Sequence, residues 1–244
     1  MLCHEYKFIF VHIPKTGGQS IDNVFLPLVG LTWETRFPLL LGPNSDPNKG
    51  PEKFGHLKAY EYVSCGHITQ EQFDSYFKFS FVRNPWDRIV SIYKYRGWPK
   101  KCSFKEFLFK YLIDPDFQKQ QWWFMRPQYD FLFKDNNQLV DYVGRFENLQ
   151  ADFDYVCSKL DIPQTPLPHI NKSGTKFKLS QVWRIRTNIR QMKNNFNYKK
   201  NTFKHYTEYY DSESKELIEK LYQKDIEAFN YEFGKGTSQQ SPRQ

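Results

Sequence analysis

Residues 6–29 read Tyr6-Lys7-Phe8-Ile9-Phe10-Val11-His12-Ile13, then Pro14-Lys15-Thr16-Gly17-Gly18-Gln19-Ser20, then Ile21-Asp22-Asn23-Val24-Phe25-Leu26-Pro27-Leu28-Val29. The first block is a short apolar and aromatic run closed by proline, which predicts a buried strand. Residues 19–29 carry Ile21, Val24, Phe25 and Leu28 at helical spacing, which predicts a helix. A strand, a glycine turn and a helix thus occupy the first thirty residues.

The turn has the chemistry of an oxyanion cradle. Glycine allows positive φ and lets main-chain N–H groups approach an anion unshielded. The helix that follows adds free N–H groups and a partial positive charge. Lys15 supplies a full charge, and Thr16 and Ser20 supply hydroxyls. The order differs from the GxxxxGK[ST] loop of kinases and ATPases, because here lysine precedes Gly17-Gly18. A plain β-to-α turn bearing a surface lysine is the competing reading.

Working outward, residues 30–55 hold Pro38, Gly42-Pro43, Pro47, Gly50 and Pro51 and read as a long loop. Residues 60–65 predict a second strand, 69–76 a helix and 78–83 a clearer strand. Asn84-Pro85 then opens a helix as N-cap and first helical residue. Trp86, Ile89, Val90 and Tyr93 form its apolar stripe, with Asp87 and Ser91 on another face. Helices are also expected over 103–113, 148–160 and 212–229, and a strand over 139–146. This alternation implies an α/β fold with a mainly parallel sheet covered on both faces. The expected organisation is one domain over residues 1–233 with a disordered tail over 234–244.

Composition agrees with a folded chain. Of 244 residues, 39% are hydrophobic and 18% aromatic, which supplies a core and excludes a disordered protein. No window reaches the roughly 18 uninterrupted apolar residues of a membrane helix, and the first residues lack the layout of an export signal. The four cysteines form no metal-ligand spacing and read as reduced thiols, so a cytoplasmic location is expected. Thirty-five Lys and Arg against 27 Asp and Glu give a net charge of +8, which favours an anionic partner.

A second motif runs from Arg83 to Ser91. An arginine at the carboxyl end of a strand faces the crevice where open α/β sheets bind ligands. Its guanidinium can grip a phosphate through two parallel hydrogen bonds. The competing reading gives Arg83 to a salt bridge and Ser91 to a solvated helix face. Asp87 and Arg88 are expected to form helix-end ion pairs.

Together, FVHIPKTGGQSI and FSFVRNPWDRIVSIY resemble the 5′-phosphosulfate loop and the 3′-phosphate segment of sulfotransferases that use 3′-phosphoadenosine-5′-phosphosulfate (PAPS), especially the carbohydrate O-sulfotransferase-like branch. SCGHIT, GRFENLQADFDYVCSKL, LPHINKS and the closing YYDSESKELIEKLYQKDIEAFNYEF extend the likeness over residues 8–233. The resemblance implies a P-loop-type three-layer αβα fold, with PAPS as co-substrate and no metal. It places Lys15 on the sulfuryl group and bridging oxygen, and Thr16, Gly17, Gly18, Gln19 and Ser20 around the 5′-phosphate. It places Arg83 and Ser91 on the 3′-phosphate, with the Asn171-Lys172-Ser173 loop closing over that side. Phe146 is a candidate to pack on adenine, its alternative being a core position. Residues 174–203 do not match the family well; their basic side chains are read either as a groove for an acidic acceptor or as a solvated insertion.

Sulfuryl transfer needs a base for the acceptor hydroxyl. His67 is the leading candidate, because Gly66-His67 follows an expected strand end and resembles the Gly-His segment that carries a catalytic histidine in related carbohydrate sulfotransferases. A helix-capping or core His67 is the alternative. His56 ranks second, and Glu147 third because it is expected to pair with Arg145. His12 and His169 read as structural. The expected function is sulfuryl transfer to an acceptor hydroxyl, with a glycan as the expected partner. The competing readings are a polyanion- or nucleic-acid-binding module using the basic 176–200 stretch, and a P-loop kinase.

Overall fold

A computed structural model describes residues 1–168 and 203–235. Its centre is a four-stranded sheet in the order β1 (Leu2–Cys3), β2 (Phe8–Val11), β3 (Phe77–Val82), β6 (Tyr142–Arg145). The pairs β2–β3 and β3–β6 are parallel, and the short β1 is antiparallel to β2. A small hairpin, β4 (Phe133–Lys134) with β5 (Asn137–Gln138), lies outside this sheet. The helices in chain order are α1 (Gly18–Leu28), α2 (Phe37–Leu40), α3 (Glu61–Ser64), α4 (Gln70–Ser75), α5 (Pro85–Tyr95) and α6 (Phe104–Glu106). They continue with α7 (Pro115–Met125), α8 (Tyr129–Leu132), α9 (Leu149–Lys159), α10 (Ser212–Leu221) and α11 (Gln223–Phe229).

Alternation along the strands explains the layering. Phe8, Phe10, Phe79 and Phe81 pack with Ile21 and Phe25 of α1 and Phe153 and Val156 of α9. Ile9, Val11 and Val82 face the opposite way, against Trp86, Ile89 and Val90 of α5. Both sheet faces are therefore covered, which is why these strands are apolar on both sides.

Local signals set the element starts. The Asn84 carboxamide accepts from the Trp86 and Asp87 N–H groups at the head of α5, with Pro85 in the first helical position. Thr69 and Gln72 form a reciprocal capping box on α4. Ser103 caps α6, whose continuation over Phe107–Leu112 is a π-helix.

Two expectations fail. Residues 60–65 form α3 rather than a strand: the Glu61 carboxylate accepts from the Lys58 N–H at 2.7 Å, and Tyr62 turns inward to donate to the Phe10 carbonyl. The closing helix breaks at Tyr222, whose buried hydroxyl donates to the Met125 carbonyl at 2.7 Å. No helix among the described residues is long and apolar enough to cross a membrane.

Candidate functional site

The three parallel strands end together. β2 runs into the Lys15–Gly17 turn, β3 into Arg83 and β6 into Phe146. In the turn Lys15 has φ 72° and Gly17 φ 93°, both left-handed. Thr16 is fully buried and its hydroxyl donates to the Ile13 carbonyl at 3.0 Å, so it braces the turn from inside. The Ser20 hydroxyl is likewise occupied, donating to the Pro168 carbonyl at 2.8 Å, and Gln19 is exposed. The N-terminus of α1 has no side-chain cap; of its first-turn amides, that of Ser20 donates to the Gly17 carbonyl at 2.9 Å.

The paired glycines are explained by packing. A Cβ on Gly17 would lie 2.8 Å from Leu149 Cδ2 and 3.3 Å from Phe146 Cδ2, and one on Gly18 would collide with the His12 ring.

Arg83 reaches the same turn. Its Nη1 donates to the Lys15 carbonyl at 3.2 Å, and its guanidinium lies 4.0 Å above the Phe146 ring. Nε and Nη2 contact the Asp87 carboxylate at 2.9 and 2.8 Å. Lys15 Nζ rests 4.0 Å above the ring of Tyr95, at the end of α5. Burial, and then the neighbouring Arg83 charge, lowers the Lys15 ammonium to about 8. Ser91, one turn beyond Asp87, is half-buried, and no described residue hydrogen-bonds its hydroxyl.

Other assignments change. Asp87 pairs with Arg83, but Arg88 forms no ion pair among the described residues. It is buried and donates to the carbonyls of Pro14 at 3.0 Å, Arg126 at 2.9 Å and Phe124 at 3.2 Å, tying α5 to the loop and to α7. Glu147 does not pair with Arg145. It accepts from the Asn84 N–H at 2.6 Å and the Tyr231 hydroxyl at 3.2 Å, while Arg145 donates to the Phe229 carbonyl. Phe146 is partly buried between Gly17 and Arg83.

The two ranked histidines lie in different surroundings. His67 follows α3, not a strand; its ring meets Phe54 edge-on at 4.5 Å, and its Nε2 is buried without a partner among the described residues. No hydrogen bond or ring contact of the described residues joins it to Lys15 or Arg83. His56 packs at 4.7 Å against His12, whose ring lies beneath Gly18. His56 Nδ1 lies 2.9 Å from the His12 carbonyl, which can only accept, so Nδ1 carries the proton and Nε2 keeps a free lone pair. Burial holds His56 down at about 4, aided by the charges of Arg88 and Lys53.

Beside His56 runs an aromatic wall that the residue pattern alone did not single out. Trp123 lies 5.6 Å from His56, Phe124 stacks with Tyr95 at 5.8 Å, and the Arg96 guanidinium covers Phe124 at 4.4 Å. The wall needs α7, whose start is signalled by Asp114-Pro115: the Asp114 carboxylate accepts from the Phe117 N–H at 2.7 Å. Gln128 and Asp225, both fully buried, were also passed over. Lys172, Ser173, His169 and the 174–203 stretch lie outside the described residues, apart from Phe203. Among the described residues no group of three or more His, Cys, Asp or Glu could hold a metal ion.

The family model described as "Sulfotransferase family" matches residues 1–232. A rat protein named carbohydrate sulfotransferase 11 is 24% identical over 197 residues, covering 62% of this chain and 50% of its own. A human protein named carbohydrate sulfotransferase 14 is 24% identical over 213 residues, covering 75% of this chain and 50% of its own. An uncharacterized protein of Archaeoglobus fulgidus is 32% identical over 113 residues, 44% of this chain and 86% of its own. This chain thus spans about half the length of the named carbohydrate sulfotransferases it matches. No solved structure matches. With a match over residues 1–232 and a turn that joins Lys15 to Arg83, the chain belongs to the sulfotransferase family.

Proposed function

We propose that this chain transfers a sulfuryl group from PAPS to a hydroxyl of a saccharide, on a P-loop-type αβα scaffold. The observation that carries the reading is the hydrogen bond from Arg83 to the Lys15 carbonyl. It brings cationic side chains from two strand ends beside the uncapped start of α1. That donor set fits a nucleotide with an anionic group at each end: the Lys15 ammonium and the α1 amides at one, Arg83 and Ser91 at the other. Lys172 and Ser173 are proposed to join the second group. The donor supplies an activated sulfuryl group, and the residues of the chain do the positioning and the proton transfer.

Lys15 holds positive charge where the leaving oxygen gains negative charge. The base is proposed to be His56 rather than His67. The His12 carbonyl fixes its tautomer, so Nε2 accepts the proton of the acceptor hydroxyl. Trp123 offers an aromatic ring to a sugar beside that base, and Arg96 offers a guanidinium. The kinase alternative loses ground, since the hydroxyl that follows the lysine is bound to Ile13 inside the turn.

The test is transfer of radiolabelled sulfate from PAPS to a panel of oligosaccharides, together with calorimetric binding of 3′-phosphoadenosine-5′-phosphate (PAP). His56→Ala is expected to lower kcat by about 10²–10⁴-fold with PAP affinity kept. If His67→Ala shows that loss and His56→Ala does not, the base is His67; no heat with PAP refutes the whole reading.

A further inference from the structure

Arg83 has a polar partner on its main chain as well as on its side chain. Its N–H donates to Gln128 Oε1 at 2.8 Å, and its carbonyl accepts from Gln128 Nε2 at 2.8 Å. The pairing of β3 with β6 ends at Val82 opposite Arg145. One residue further on, the Gln128 carboxamide takes over both main-chain groups of Arg83, as a neighbouring strand would.

Gln128 is itself held by a carboxylate distant in sequence. Asp225 Oδ2 accepts from the Gln128 main-chain N–H at 2.9 Å and from its Nε2 at 3.2 Å, and Oδ1 accepts from the Tyr129 N–H at 2.8 Å. Both side chains are completely buried. The carboxylate fixes which way the carboxamide faces, because only the NH₂ end can meet Asp225 and the Arg83 carbonyl together. Neither residue lines the crevice, so neither can touch nucleotide or acceptor.

We propose that Gln128, oriented by Asp225, is a positioning residue that sets the main chain from which Arg83 grips the nucleotide. A guanidinium on a long side chain reaches a phosphate with good geometry only if its Cα is fixed, and a small displacement at a binding group has a large effect on affinity. The second binding group is braced in the same way, since the buried Arg88 holds the Pro14 carbonyl next to Lys15. This inference rests on the reading of Arg83 as a nucleotide-binding residue, and the experiment separates the two.

PAP affinity is measured by calorimetry for the wild type, Arg83→Ala, Gln128→Glu, Gln128→Met and the double variants, each checked for its fold by circular dichroism. Gln128→Glu is nearly isosteric but removes the Nε2 donor to both the Arg83 carbonyl and Asp225 and sets a carboxyl against the Asp225 carboxylate, so Gln128→Met, which brings no charge, is its control. The expected result is a loss of about tenfold or more in PAP affinity for the Gln128 variants. The KM for PAPS rises while kcat at saturating PAPS holds, and the loss vanishes in the Arg83→Ala background. A Gln128 variant that folds and binds PAP as the wild type does overturns the proposal. So does an equal loss with and without Arg83, the signature of a merely structural role. If the variants do not fold, hydrogen exchange on the wild type decides. PAP should slow exchange at Arg83, whose N–H is held by Gln128, and at Gln128 and Tyr129, whose N–H groups are held by Asp225. Protection absent from 128–129 overturns the proposal. If the wild type does not bind PAP, or Arg83→Ala binds as well as the wild type, the underlying reading of Arg83 is what fails.

Discussion

At the scale of single residues, the site is a problem of unpaired charge. Lys15 and Arg83 are neighbours of like sign, and the Arg83 guanidinium pairs with the Asp87 carboxylate. Burial first and the Arg83 charge second lower Lys15 to about 8, and an anion between the two cations relieves the second of these. Arg83→Ala is therefore expected to weaken PAP binding by about 1.5–3 kcal/mol, the value of a hydrogen bond to a charged group, measured by calorimetry. The pH dependence has a definite sign. A lysine with a lowered pKa is charged below about pH 8 and neutral above it, so PAP affinity should fall as pH rises through that region. Bound anion pulls the limb upward, and Lys15→Arg, protonated throughout, should flatten it. An affinity that does not change between pH 7 and 10 in the wild type would remove Lys15 from the site. Both cations were legible in the sequence, each standing at a strand end. The packing of His56 on His12 was not, because which histidine reaches the turn depends on how the chain between β2 and β3 folds back.

At the scale of elements, the turn between β2 and α1 is shaped from below. His12 stacks on Phe10 at 5.3 Å and lies under Gly18, so the glycine that sequence reasoning gave to anion access is also required by the imidazole. Gly18→Ala should cost about 1–3 kcal/mol in chemical denaturation, the range for an overpacked site. His12→Ala added to it should recover part of that loss; a double variant no better than the single one would show that the ring is not the obstacle. The expected strand at residues 60–65 shows the opposite case. Val63 and two tyrosines suggest a strand, yet Tyr62 is needed at Phe10, and a helical turn presents it while Glu61 holds the Lys58 amide. Asp114-Pro115 carries a clear helix start, and through α7 it places Trp123 beside His56.

At the scale of the whole molecule, the C-terminal helices complete the site from a distance. Ile218, Tyr222 and Phe229 join the core on the α5 side of the sheet, and the break at Tyr222 separates α11, which carries Asp225, from α10. Burial raises the Asp225 carboxyl to about 6, opposed by the Tyr129 and Gln128 amides. Asp225→Asn would turn an NH₂ group toward amides that already donate. A loss of about 1–3 kcal/mol in stability is expected, read from urea denaturation at pH 7. Unchanged stability would mean that the Asp225 bonds to the Gln128 and Tyr129 N–H groups do not stabilise the fold.

What the sequence determined by itself was local: the apolar runs of β2 and β3, the Asn84-Pro85 start of α5, the lysine and glycines of the turn, and the arginine at the end of β3. Each is written in neighbouring residues, where period, capping and backbone freedom act over a few positions. Tertiary structure decided which distant groups meet: His56 on His12, Glu147 on the Asn84 amide, Gln128 on Arg83 and Asp225 on Gln128. Those pairings follow from how two covered sheet faces and a broken C-terminal helix close around one crevice, which no short-range pattern encodes.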